Sequence, residues 1–111
     1  MGLPSSSLDD FYRFFRISGM EHCYSGDGAW QIGQTSVGAL GVPLDPQNNV
    51  LLRIVDWVEN GVAPESLTGT KFVNDTASEG VAFVRQHCKY PTRNICIDPD
   101  NYEKPESWEC V

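Results

Sequence analysis

The sequence has few basic residues. Only eight of its 111 residues are Lys or Arg, against 15 Asp or Glu, so the formal net charge is −7. The eight are scattered, whereas nucleic acids and anionic membrane surfaces attract clusters of Lys and Arg. We therefore expect neither a nucleic-acid partner nor a membrane partner.

Long apolar runs are also lacking. No segment approaches the roughly 18 consecutive apolar residues of a membrane-spanning helix, and no secretory leader is recognisable. The mean hydropathy is −0.31. A chain of this length fits one domain with a modest core.

Two kinds of chemical motif are missing. The sequence contains no Gly-x-Ser-x-Gly elbow of a serine hydrolase. None of its four cysteines lie two to four residues apart, as the cysteines of zinc motifs do, so no metal site is predicted. Four cysteines allow three disulfide pairings, and such cysteine use is typical of an oxidising, extracellular compartment. A glycosylation sequon at Asn74 agrees with secretion.

The first half of the chain predicts a strand, a long loop and a helix. Residues 2–10 are predicted to be a loop, and the aromatic segment 11–17 an interior strand of a covered sheet. Residues 19–44 are glycine-rich and predict a functional loop with a short turn near its end, anchored by two apolar side chains. Those anchors are Trp30 and Ile32.

The helix prediction is the clearest. Asp45 is a suitable N-cap with Pro46 at the first helical position, an apolar face follows at helical spacing, and Gly61 ends the helix. Residues 67–73 and 81–87 predict a β-hairpin, and residues 92–111 have too few aliphatic side chains to fold without a covalent tie. This order of elements predicts an α/β fold.

His22 is the candidate for chemistry, because it follows the break at Gly19 and precedes a flexible loop. Histidine is the side chain best suited to proton transfer near neutral pH. The alternative is a surface histidine without a role. Asp9, Asp10 and Asp27 could each orient the His22 ring, and nothing in the sequence distinguishes them.

Several motifs resemble one family in chain order. They are the segment Gly-Met-Glu-His-Cys at residues 19–23, Gly-Asp-Gly-Ala-Trp at 26–30, the helix, and the terminal Cys-Lys-Tyr-Pro at 88–91 and Trp-Glu-Cys-Val at 108–111. Together these resemble the fungal tannase and feruloyl esterase family. The resemblance implies that residues 1–111 are the C-terminal part of one α/β-hydrolase catalytic domain. That part would hold the last sheet strand, the catalytic-histidine loop, a covering helix, a β-hairpin and a disulfide-tied tail.

The implied function is that of a secreted serine esterase acting on esters of phenolic or other aromatic acids, with His22 as its catalytic histidine. The nucleophilic serine and the triad acid would lie in the N-terminal remainder of the domain, so the 111-residue chain is expected to be inactive alone. Members of that family commonly carry calcium in a lid region outside this segment. No cofactor is expected within the segment.

The resemblance also assigns the cysteines. Cys23 would pair with a cysteine just before the catalytic serine, outside this chain, and Cys88 would pair with Cys110. Cys96 matches nothing in the family pattern. The alternative function is a small secreted, acidic, disulfide-stabilised binding module without catalysis, which the missing nucleophile favours.

Overall fold

The computed structural model describes residues 4–111. Its helices are α1 (Ser36–Ala39) and α2 (Val50–Asn60), and its strands are β1 (Ser66–Phe72), β2 (Val81–Cys88), β3 (Asn94–Cys96) and β4 (Trp108–Cys110). The strands form two separate antiparallel pairs, β1 with β2 and β3 with β4. Short 3₁₀ turns occupy Ser5–Leu8, Val73–Asp75, Ala77–Glu79, Pro99–Asn101 and Pro105–Ser107.

Helix α2 starts four residues later than the sequence predicted. The Asn49 side-chain oxygen accepts hydrogen bonds from the backbone N–H of Leu51 at 3.0 Å and of Leu52 at 3.2 Å. Asp45 instead closes a preceding turn, where its carboxylate accepts from the Asn48 N–H at 2.9 Å. The prediction of Asp45 as N-cap is therefore wrong. Both residue types cap well, and the turn at Asp45 delays the helix.

The C-terminal end of α2 is as predicted. Gly61 has φ +71°, and its N–H bonds to the last turn of the helix. The predicted apolar face is present but lies largely in solvent: Leu51 is 63% exposed, Ile54 48% and Val58 79%. The residues that the structure describes thus leave most of this face uncovered.

The predicted hairpin is confirmed. β1 and β2 pair from Ser66 opposite Cys88 to Phe72 opposite Val81, and two 3₁₀ turns join them. Residues 29–32, within the glycine-rich loop, pack on this hairpin, and their contacts include a bridge between Gln31 and Thr70. The buried apolar side chains gather here: Ala29, Trp30, Ile32, Val42, Leu67, Phe72 and Cys88.

The predicted strand at residues 11–17 is wrong for this chain. Only an isolated bridge between Phe15 and Lys89 forms, supported by a hydrogen bond from the Tyr90 N–H to the Phe14 carbonyl at 2.7 Å. Phe11 remains 69% exposed. An interior strand needs neighbours along both edges, and residues 4–111 supply one short contact. The covered α/β sheet is accordingly not formed within this segment.

The tail is tied by a disulfide between Cys88 and Cys110, which are 22 positions apart. This is the pairing that the resemblance implies. The short pair of β3 and β4 extends the tie, and the backbone of Ile97 bonds to the buried Ser107 at 2.8 Å. The tail is thus ordered by covalent and backbone bonds rather than by a core of its own.

The predicted loop at residues 2–10 is partly wrong, because Ser5–Leu8 is a 3₁₀ turn. Gly2 lies outside the described residues. Within residues 4–111, no helix is both long and apolar enough to cross a membrane.

Candidate catalytic-histidine site

His22 lies at the tip of a closed loop, residues 19–28, which we call the His22 loop. Two backbone hydrogen bonds of 3.0 Å close it, from the Gly28 N–H to the Gly19 carbonyl and from the Glu21 N–H to the Ser25 carbonyl. The His22 side chain is exposed, as are its neighbours Glu21 and Cys23. The loop therefore presents an accessible imidazole on a tied backbone.

The loop contains backbone strain at its tip. Cys23 and Ser25 have φ values of +68° and +69°, in the left-handed region that non-glycine residues avoid. Such residues cost of order 1–3 kcal/mol each and cluster at functional sites. At the base, Gly19 is required, because its φ is +77° and a Cβ there would lie 2.5 Å from the Gly28 Cα. The loop shape is thus specific to this sequence.

A charged anchor holds the C-terminal side of the His22 loop. The Lys71 ammonium on β1 donates to the Gly26 carbonyl at 2.7 Å and to Asp75 Oδ1 at 2.6 Å. The Trp30 indole N–H donates to the same Asp75 oxygen at 2.9 Å. Burial raises the pKa of Asp75, but the Lys71 and Trp30 hydrogen bonds outweigh it and the net pKa is lowered. The carboxylate therefore stays ionised near neutral pH.

A second anchor comes from Gln34. Its amide N–H groups donate to the Cys23 carbonyl at 3.3 Å and to the Trp30 carbonyl at 3.1 Å. Its side-chain oxygen accepts from the Ile32 N–H at 3.0 Å. One side chain thus connects the tip of the loop to the buried segment that follows it. Trp30 and Ile32 are both buried, as the sequence predicted.

The other histidine has a structural role. His87 on β2 is 2% exposed, and its Nε2 lies 2.8 Å from the Ala29 carbonyl oxygen. Burial lowers the pKa of His87; the Ala29 hydrogen bond opposes this, and the nearby Arg85 adds to it. A neutral, enclosed imidazole is a packing element between β2 and the residues after the His22 loop.

The structure does not assemble a catalytic triad from residues 4–111. The His22 ring has no hydrogen-bond partner among them, so neither a serine nor a carboxylate is in place. Asp9, one of the three candidate acids, instead bonds to Lys89 at 2.5 Å. Asp10 and Asp27 are exposed and form no side-chain contact with His22. His22 therefore has no triad partner within residues 4–111.

The cysteines and the sequon are placed as follows. Cys23 is a free, exposed thiol on the His22 loop, and Cys96 is free and half-buried. Asn74 is exposed at φ +52° in the turn beside Asp75. No group of three His, Cys, Asp or Glu that could hold a metal ion occurs in the described part of the chain.

Sequence reasoning missed the anchors of the His22 loop. Lys71, Asp75 and Gln34 carry no motif, and the contact between Trp30 and Asp75 spans 45 positions. The available signal was modest: Asn74 and Asp75 are residue types that tolerate the left-handed conformation, which marked a tight turn.

Comparisons with known proteins cover the whole segment. The family described as tannase and feruloyl esterase matches residues 2–111. A probable feruloyl esterase B-2 of Aspergillus terreus is 51% identical over 111 residues, and one of Neosartorya fischeri is 53% identical over 114. Each match covers 100% of this chain and 20% of the relative.

Two solved structures agree. A crystal structure of an esterase from Aspergillus oryzae superposes with a TM-score of 0.91 at 48% identity, and that of feruloyl esterase B from Aspergillus oryzae with 0.88 at 47%. Both cover 100% of this chain and 21% of the solved chain. The chain thus spans about a fifth of the length of the proteins it matches. With a whole-length family match and relatives near half identity, the chain belongs to the tannase and feruloyl esterase family.

Proposed function

We propose that this chain is the catalytic-histidine segment of a serine carboxylic ester hydrolase. The nucleophilic serine and the triad acid come from the remainder of the catalytic domain, which the relatives have in addition. The observation that carries the proposal is the exposed His22 ring on a closed and anchored loop, with no hydrogen-bond partner for the ring within residues 4–111. Acid–base catalysis needs such a positioned but unoccupied imidazole.

The proposed steps follow the logic of a serine triad. The serine oxygen attacks the ester carbonyl carbon while His22 accepts the hydroxyl proton. The tetrahedral intermediate then expels the alcohol, which takes that proton from His22. Water attacks the resulting acyl-serine, gives a proton to His22, and the free acid leaves as the serine recovers its proton. His22 is thus general base and general acid in turn.

Cys23 supports this role. Its free, exposed thiol adjoins His22, and we propose that it forms a disulfide with a cysteine beside the nucleophilic serine. Such a bond would fix the imidazole against the serine, where a small displacement is costly. The strain at Cys23 fits a residue whose conformation is imposed by function.

The proposed substrates are esters of phenolic or other aromatic acids. Support comes from the relatives, which are described as probable feruloyl esterases. Secretion and glycosylation at Asn74 are proposed with it, because Asn74 is exposed and a disulfide is present. The calcium that the resemblance implies would lie in a lid region outside this segment.

The esterase segment is favoured over the alternative of a binding module without catalysis. Its motivation was the missing nucleophile, but all 111 residues align with esterases that are about five times longer. The segment alone would then lack activity for a simple reason, namely that two members of the triad are elsewhere.

The test uses a joined esterase, in which this chain replaces the matching 21% of Aspergillus oryzae feruloyl esterase B. We expect the joined esterase to hydrolyse methyl ferulate and the 111-residue chain to be inactive. A matched variant is His87→Gln, which alters the other histidine and should retain turnover if the protein stays folded. A folded joined esterase without activity would contradict the proposal, as would turnover by the isolated chain.

A further inference from the structure

We propose that Lys71 is a positioning residue for His22, holding the His22 loop in its catalytic geometry through the Gly26 carbonyl. The inference rests on the proposed function, because it assigns a residue to the same site. It adds a residue that lies 49 positions beyond His22 in the sequence, on a strand of the hairpin.

The Lys71 side chain connects the His22 loop to the β1–β2 hairpin. Its ammonium joins three parts of the chain: the loop at Gly26, the hairpin turn at Asp75 and, through that carboxylate, the buried Trp30. The strand that carries Lys71 is paired with β2 from Ser66 to Phe72, with an irregularity in the register between Lys71 and Phe72. The Lys71 side chain is 15% exposed and the Asp75 side chain 38%, so solvent partly screens their ion pair.

Asp75 is oriented for this purpose at a conformational cost. Both Asn74 and Asp75 adopt φ above +50°, which places two consecutive non-glycine residues in the left-handed region. This cost is offset by hydrogen bonds, because one Asp75 carboxylate oxygen accepts from both the Lys71 ammonium and the Trp30 indole. The turn thus places the Asp75 carboxylate where it binds the Lys71 ammonium, which in turn binds the His22 loop.

Loss of the Lys71 contact is expected to lower the rate of catalysis more than the stability of the fold. Gly26 is four residues from His22 inside a closed loop. Loss of the hydrogen bond between Lys71 and the Gly26 carbonyl should therefore let the imidazole move relative to the serine. Misplacement by about 1 Å can cost ~10²-fold in rate. Lys71→Met should therefore lower kcat of the joined esterase by ~10- to ~10²-fold and leave KM nearly unchanged. Lys71→Arg keeps a cationic donor and should recover part of that loss.

Lys89 offers a matched control. It is also a hairpin-side lysine, 17% exposed against 15% for Lys71, and it also forms an ion pair, with Asp9. Its side-chain hydrogen bond and ion pairs go to Asp9 and Glu65, which lie outside the His22 loop. Lys89→Met should lower the free energy of unfolding by an amount similar to Lys71→Met while leaving kcat unchanged.

The first measurement uses the 111-residue chain and does not depend on activity. Hydrogen exchange is followed at the Gly28 and Glu21 amides, whose bonds close the His22 loop. Lys71→Met should accelerate exchange at these two amides selectively, whereas Lys89→Met should not. Equal acceleration in both variants would overturn the inference, because Lys71 would then act only through overall stability.

The second measurement is kcat, KM and melting temperature of the joined esterase carrying each variant. A fall in kcat confined to Lys71→Met, with partial recovery in Lys71→Arg, is the expected result. Wild-type kcat in a folded Lys71→Met variant would overturn the inference and leave the proposed function standing. An inactive parent joined esterase would contradict the proposed function, while the exchange experiment would still decide on Lys71.

Discussion

The Nε2 atom of His87 lies 2.8 Å from the carbonyl oxygen of Ala29, in the buried contact between β2 and the residues that follow the His22 loop. This hydrogen bond links the β1–β2 hairpin to the residues that directly follow the His22 loop. Because the ring is buried and its pKa is lowered, the contact is made by neutral histidine.

Stability should therefore fall in mildly acidic solution. An unfolded histidine titrates near pH 6.5 and the folded one below that, so the unfolded state binds more protons below about pH 6.5. The contribution is complete above that pH and is lost as pH falls through the window between the two pKa values. Its slope is at most ~1.4 kcal/mol per pH unit.

The measurement is the free energy of urea unfolding from pH 7.5 to pH 5. His87→Gln can still donate to Ala29 but does not titrate, so its profile should be flatter. Glu65 and Asp75 also have lowered pKa values, but their contributions are lost at more acidic pH and are common to both proteins. Parallel profiles would show that His87 is not buried in the neutral form.

The Cys88–Cys110 disulfide should be the main stabiliser of the tail. It closes a loop with a separation of 22 residues, for which the loop-entropy estimate is about 3 kcal/mol. Replacing both cysteines by serine should lower the free energy of unfolding by that amount and release residues 92–111 to protease. Cys96→Ser, which removes a free thiol, should leave both properties unchanged. A Cys88–Cys96 peptide in non-reducing mapping would contradict the pairing.

The exposed face of α2 should make the isolated chain self-associate. Leu51, Ile54 and Val58 form an apolar stripe in solvent, and such patches drive association. Val58→Lys should reduce association, measured by light scattering, without lowering stability. Asn60→Lys adds the same charge at an exposed polar position of the helix and should have little effect. Equal behaviour of the two variants would exclude the stripe as the cause.

In the joined esterase, Val58→Lys should instead destabilise. If the remainder of the catalytic domain covers α2, a lysine there would be buried against it, at a cost of several kcal/mol. An unchanged melting temperature would show that this face remains in solvent in the whole domain.

The elements that the sequence predicted well are those specified locally. The β1–β2 hairpin follows from two short strand-forming segments around a turn, and the end of α2 follows from Gly61, since glycine takes φ +71° without strain. The start of α2 was misplaced, because the Val50 N–H bonds to the Ile32 carbonyl at 2.6 Å, a tertiary contact that no local pattern shows.

The site was predictable only in part. His22 could be proposed from its motif, and its exposure follows from the loop. Residues 11–17 form only an isolated bridge, between Phe15 and Lys89, and no local pattern shows whether a strand will find partners along its edges. The hydrogen bonds from Lys71 to Gly26 and from Trp30 to Asp75 each span 45 positions, and such long-range contacts leave no periodic trace in a sequence.

In the joined esterase, Cys23→Ser tests the positioning of the His22 ring without removing the ring itself. It keeps the imidazole but removes the proposed disulfide, so the free energy of unfolding should fall by about 2–5 kcal/mol and kcat should fall with it. Cys96→Ser is the control, because Cys96 is the other free cysteine of the segment. A fully active, equally stable Cys23→Ser variant would contradict the proposed disulfide and its role in positioning His22.

The most direct test of the central claim is rescue of a His22→Ala joined esterase by free imidazole. Removing the general base should lower kcat for methyl ferulate by ~10²- to ~10⁴-fold, or more because triad members act as a unit, with KM and melting temperature little changed. Imidazole added to the solution should restore part of the turnover in His22→Ala and none in a variant lacking the nucleophilic serine. Wild-type kcat in a folded His22→Ala variant would contradict the assignment of His22 as the catalytic histidine.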